Sequence, residues 1–177
     1  LTVTKNIYGI EPDIESQKIL KSLGVNVFKN ILDVPDDLKF DTIRLNWSLE
    51  HVHKPSLYFK FISKHLRHKD SKAIICIPNY SGHIYSIDKS NVELPIHLYH
   101  FKYKDILNYC KKFNLKIEIF KTFSYASMYY FSASINPNLN KYKNLSLFSL
   151  QQLQKKLQYI DKSNNGNDMF FIIKSNV

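Results

Sequence analysis

The chain has 177 residues, 44% of them hydrophobic, with 12 Phe, 12 Tyr and a formal net charge of +10. That composition supports one core of ordinary domain size, and no apolar run approaches the roughly 20 residues of a membrane helix. The 25 Lys and Arg are scattered, with no basic run of five, so the charge reads as a solvated basic surface ahead of a nucleic-acid interface.

Strands and helices alternate along the chain. "NIYGIEPD" (6–13) is a short apolar strand stopped by an acid and a proline. "IESQKILKSLG" (14–24) places Ile14, Ile19, Leu20 and Leu23 at helical spacing and closes on Gly24. "VNVFKNI" (25–31) is a second strand, and "DTIRLNW" (41–47) a third. A helix over 55–66 begins with Pro55, where the missing N–H costs nothing. "KAIICIP" (72–78) is a continuous apolar run, suited to a strand buried on both faces. The aromatic stretch 79–101 is irregular, 102–114 is a helix, and "LKIEIFKTF" (115–123) alternates like a half-buried strand. A second aromatic run, 123–133, reads as a pocket lining, an edge strand or an oligomer contact. Leu147, Leu150, Leu153, Leu157 and Ile160 then form one helical stripe, and "MFFIIKS" (169–175) is the last strand. This alternation predicts an α/β fold with a mainly parallel sheet in a single domain, with 124–167 an insertion before the final strand. In such sheets ligands bind beyond the carboxyl ends of the strands. Polar residues gather there: Glu11 after the first strand, Asn46 to His51 after the third, Asn79 to Gly82 after the fourth.

Cys76 and Cys110 show no metal-site spacing, and no signal-peptide pattern opens the chain. The expectation is a reducing, cytoplasmic setting without a disulfide.

The segments "YGIEPD", "FDTIRLNWSLEHVHKP", "AIICIPNYSG" and "ELPIHLYHF" resemble, in order and rough spacing, the class I S-adenosylmethionine-dependent methyltransferases, closest to the type 11/23 group related to ubiquinone-pathway O-methyltransferases. The similarity runs from about Ile7 to Phe123, and "LEHV" followed by a helix and then "PN" after a strand is its most specific part. The resemblance implies a Rossmann-like sheet with an antiparallel C-terminal strand and S-adenosyl-L-methionine as cofactor. It places Glu11 on the ribose hydroxyls, a task suited to a two-oxygen acceptor. It places Asn46, Trp47, Ser48 and Leu49 along the methionine part. Glu50 and His51 would face the acceptor, with Pro78 and Asn79 closing the cleft and His97, Tyr99 and His100 folding over the substrate.

The family's first strand and Gly-rich loop should precede Ile7, yet only six residues stand there, the first of them Leu, and the chain holds four glycines. That strand is central in the family's sheet. Its absence predicts a split sheet, weak or absent cofactor binding by residues 1–177, and either a C-terminal piece of a longer protein or a different strand pairing. A preceding N-terminal segment or a homo-oligomer contact would be the partner.

Methyl transfer requires alignment and often a base for an acceptor hydroxyl. His51, His97 and His100 are the candidates for that base, and helix capping or packing in a Tyr-rich wall is the bland alternative. Trp47 reads as a cover for the cofactor cleft ahead of a platform for a substrate ring, and Glu50 serves equally as an acid near a helix N-terminus. Glu50, His51 and a later His are similar to part of the Mg-binding set of small-RNA 2′-O-methyltransferases. Trp47 stands where that set has a further Glu, so no metal is expected. The reading is O-methylation of a small molecule or glycan, ahead of N-methylation. Its rivals are a methyltransferase-fold binding or assembly module without activity, and a basic RNA-binding protein or RNA methyltransferase.

Overall fold

The computed structural model describes residues 6–87, 96–126, 141 and 146–176. The chain forms two compact units, residues 1–39 and 40–177. In the first, β1 (Tyr8–Ile10) and β2 (Asn26–Phe28) run parallel, joined by α1 (Ile14–Ser22). Asp13 caps α1, its carboxylate accepting the Ser16 N–H at 2.7 Å, and Gly24 closes the helix at φ +81°, a conformation that costs glycine nothing. The Tyr8 and Phe28 rings stack at 6.2 Å across the strand pair. β2 ends three residues before the expected Ile31. Asn30 and Asp33 form a reciprocal capping box there, which turns the backbone into a short 3-10 helix over Ile31–Asp33.

The second unit is a four-stranded sheet in the order β3-β4-β6-β5, built from β3 (Thr42–Asn46), β4 (Lys72–Pro78), β5 (Leu115–Phe123) and β6 (Asp168–Ser175). β3 and β4 are parallel, while β6 runs antiparallel to both β4 and β5. Among the described residues the strands form two sheets, β1-β2 and β3-β4-β6-β5, in keeping with the split sheet that a missing central strand implies. The antiparallel C-terminal strand is also as expected, inserted between β4 and β5.

α2 (Pro55–His65) and α4 (Tyr103–Lys112) build the core on one sheet face. Phe59, Ile62, Ile106 and Cys110 meet Ala73, Ile75, Ile77, Met169, Phe171 and Ile173 there, and Phe59 stacks on Tyr109 at 4.7 Å. On the opposite face Ile74, Phe170 and Ile172 are half-buried, so the Ile-rich run of β4 is fully covered on one side only. A smaller cluster joins α3 (His83–Ile87) to α5 (Leu147–Lys162) through Ile84, Tyr85 and Leu157, with Leu150, Leu153 and Ile160 at its margin. Leu147 departs from the expected stripe. It is the first residue of α5 and is 74% exposed. The aromatic run beyond Ala126, residues 88–95, and most of the stretch before α5 lie outside the described residues.

Both cysteines are buried and free. Burial pushes the Cys110 thiol up to about 12 and raises Cys76 as well. A thiol held protonated is a poor nucleophile. Iodoacetamide at pH 8 is therefore expected to leave both unmodified in the folded chain and to alkylate both in denaturant, as read by intact mass. Rapid labelling of Cys110 under native conditions would show that α4 is not seated on the sheet as described.

Candidate functional site

The carboxyl ends of β3 and β4 and the start of β6 form one rim of the second unit. β3 ends at Asn46, which is half-buried and accepts an Arg44 Nε–H bond at 3.2 Å on Oδ1. The next residue, Trp47, has φ +43°, a left-handed backbone that costs a bulky residue about 1–2 kcal/mol. Two bonds hold it there. Its backbone N–H donates to the Cys76 carbonyl at 2.8 Å, and its indole Nε1–H donates to Asp168 Oδ1 at 3.0 Å. The indole also meets the Phe123 ring edge-on at 6.4 Å while remaining half-exposed. Strain fixed by surrounding bonds is characteristic of functional rims. Asp168, only 2% exposed, has no counterpart among the expected site residues. Its one signal in the sequence is an acid opening an otherwise apolar strand.

Ser48 and Leu49 lead into a 3-10 turn over Leu49–His51. Leu49 is fully buried and belongs to the core, so its contribution to any ligand is through its backbone. Glu50 is 1% exposed, and its backbone carbonyl accepts N–H bonds from Leu98 at 2.8 Å and Tyr99 at 3.2 Å. The Tyr99 hydroxyl donates to the His53 carbonyl at 3.0 Å. These bonds stitch the Ile96–Phe101 segment onto the turn after β3. They bring His97, which is 7% exposed, against His51, with ring centroids 4.8 Å apart.

His51 Nδ1 lies 3.0 Å from the Ile96 carbonyl oxygen. A carbonyl only accepts, so Nδ1 is the donor, and in the neutral tautomer that bond selects the lone pair is at Nε2. That atom lies 3.8 Å from Glu50 Oε1. His100 is placed apart from this pair, packed on Tyr80 with centroids 5.0 Å apart. His53 is exposed.

Asn79, 2% exposed, is committed within the chain. Its Nδ2 donates to the Gly166 carbonyl at 2.8 Å and its Oδ1 accepts the Ser81 N–H at 3.1 Å. Gly82 makes the same approach. A Cβ there would lie 2.6 Å from the Gly166 carbonyl oxygen and 2.9 Å from that of Asn79, so only glycine lets the loop after β4 close on the turn before β6. That turn is itself braced by Asp161, whose carboxylate accepts bonds from Ser124 N–H at 3.1 Å and Oγ–H at 2.9 Å. Burial pushes the Asp161 carboxyl up despite these bonds.

Glu11 belongs to the N-terminal unit. It follows β1 directly, is half-buried, and accepts the Asp13 N–H on Oε1 at 2.9 Å.

No protein-family model and no curated protein matches the chain. Solved structures do. A SAM-dependent methyltransferase from Thermotoga maritima matches at 15% identity and a TM-score of 0.59, over 97% of this chain and 73% of its own. One from Clostridium acetobutylicum matches at 14% identity and 0.57, over 97% and 76%. The [4+2]-cyclase SpnF matches at 12% identity and 0.61, over 97% and 67%. The chain has the Rossmann-like fold of the SAM-dependent methyltransferases. In this fold class the carboxyl rim of the parallel strands is the ligand side. Trp47, Glu50, His51 and His97 all lie on or against that rim of the methyltransferase-like sheet.

Proposed function

We propose that this chain is part of an S-adenosyl-L-methionine-dependent methyltransferase that modifies a hydroxyl of a small molecule or glycan. The observation that carries the reading is the oriented His51. Its Nδ1–H is tied to the Ile96 carbonyl, so Nε2 is left to take a proton at the sheet rim, beside the Glu50 carboxylate. The buried carboxylate stabilises the imidazolium that results. His97 flanks it, and Tyr99 fixes the segment that carries both His97 and His100.

The cofactor would supply an electrophilic methyl on sulfur. Each unit by itself carries residues suited to part of it. In the first, Glu11 has one carboxylate oxygen accepting the Asp13 N–H and Oε2 as a further acceptor suited to a ribose hydroxyl. In the second, Trp47, held by Asp168, offers a flat apolar surface between Asn46 and Ser48 in the sequence. Asn79 acts by holding the loop after β4 in place.

Calorimetric titration of S-adenosylhomocysteine into the complete gene product is expected to show binding, and Glu11→Ala to weaken it about tenfold or more, the scale of a hydrogen bond to a charged group. An unchanged affinity would remove Glu11 from the ribose. Absence of heat with the complete protein would leave a methyltransferase-fold module without activity as the better reading, which the two-piece sheet favours.

A further inference from the structure

We infer that the Asn165–Gly166 pair is a site of covalent self-modification, deamidation through a cyclic imide, and that the fold restrains it by holding the Gly166 N–H. It is the only Asn-Gly pair in the chain. The reaction starts when the Gly166 backbone nitrogen gives up its proton and attacks the Asn165 side-chain carbonyl carbon. The new C–N bond closes the imide, and the side-chain nitrogen leaves as ammonia. Water then opens the imide at either carbonyl, giving aspartate or isoaspartate. One water is consumed and one ammonia released, with nothing oxidised or reduced. Glycine permits the attack because it has no side chain to crowd the nucleophilic nitrogen. Asn164 and Asn167 are followed by Asn165 and Asp168, whose side chains obstruct the same approach.

In the folded chain the leaving group is accessible and the nucleophile is not. Asn165 is exposed, its Nδ2 donating to Ser163 Oγ at 3.2 Å. Gly166 is buried, and its N–H donates to Thr122 Oγ1 at 3.0 Å. That hydroxyl in turn donates to the Asp161 carbonyl at 2.9 Å. The other end of the same peptide unit is also held, because the Asn165 carbonyl accepts the His83 N–H at 2.8 Å. A peptide unit bonded at both ends cannot turn its nitrogen onto the Asn165 side chain. The reaction therefore runs from a locally opened state in which the turn has left Thr122 and His83.

The isoaspartate product cannot resume the closed geometry. It adds a methylene to the main chain just before Gly166, where there is no room. A Cβ on Gly166 would already lie 2.6 Å from Asp161 Oδ1 and 2.6 Å from the Phe123 nitrogen. The Gly166 carbonyl would also lose its seat on Asn79 Nδ2, at 2.8 Å, which joins this turn to the loop after β4. Opening of the turn is thus recorded as a permanent chemical change. The inference is independent of the methyltransferase reading and needs neither cofactor nor acceptor.

The test is incubation of residues 1–177 in mildly alkaline buffer, folded or in guanidinium chloride, with the tryptic peptide 163–174 followed by mass spectrometry. In denaturant Asn165 should convert ahead of Asn164 and Asn167. In the folded chain its conversion should be slowed at least as much as hydrogen exchange at the Gly166 amide, since both require that N–H to be released. Thr122→Val keeps the side-chain shape and removes the acceptor, so it should raise the folded-state rate about tenfold or more. Ser163→Ala, which removes only the contact to the Asn165 amide, should leave the rate unchanged. Thermal melts establish that each variant is folded during incubation, and if Thr122→Val is not, the exchange comparison on the unaltered chain decides alone. Absence of conversion in denaturant would overturn the site. Folded-state conversion as fast as in denaturant, or a rate unmoved by Thr122→Val, would overturn the restraint by Gly166.

Discussion

Phe171→Ala is expected to cost about 3–5 kcal/mol of unfolding free energy, a large part of the stability of a domain this size. Phe171 is fully buried on β6, the strand that bonds to both β4 and β5. It stands opposite Ile75 on one side and Phe120 on the other. Its ring lies 5.1 Å from Phe120 and stacks on Tyr103 at 6.2 Å. Truncation removes apolar burial and leaves a cavity where two strand pairings meet, and strands held on both sides have little room to collapse into it. Phe148→Ala on α5 is the control. That side chain is 68% exposed, and its loss should stay within about 0.5 kcal/mol. Urea unfolding followed by circular dichroism separates the two. Equal and small effects would mean that β6 is not an interior strand of the second unit.

The same strand shows what a single sequence reveals and what it conceals. β4 and β5 are found to the residue, one from a continuous apolar run and one from alternation, because both patterns are local. The insertion of β6 between them depends on contacts across about a hundred residues. No periodicity encodes it, and the family resemblance implied only that the last strand is antiparallel. Local chemistry also explains the shortfalls. Asn30 and Asp33 bond each other's backbones and end β2 early. Leu147 opens a helix whose first turn extends past the cluster that covers Leu157. At the rim, the residue types of Glu50, His51 and His97 were legible, and their convergence was not. His97 and His100 are three apart in sequence, yet one faces His51 and the other Tyr80. Asp168 and the Ile96 carbonyl were missed because their roles are to hold Trp47 and His51, and a residue that orients another leaves no mark in composition.

His51→Ala in the complete gene product is expected to lower kcat/KM for a hydroxyl acceptor by about 10²–10⁴, the usual contribution of a positioned general base. The ring is accessible and outside the core, so the loss should come without a comparable loss of stability. His53→Ala, whose side chain is exposed and whose carbonyl still receives the Tyr99 hydroxyl, should retain activity. His51→Ala within about threefold of the unaltered protein would exclude proton transfer at Nε2. If Nε2 takes the acceptor's proton, exogenous imidazole is expected to restore the His51→Ala variant in part, because it supplies the missing base. The Ile96 carbonyl matters to this step, since its bond to Nδ1 keeps the lone pair on Nε2 and turned toward Glu50.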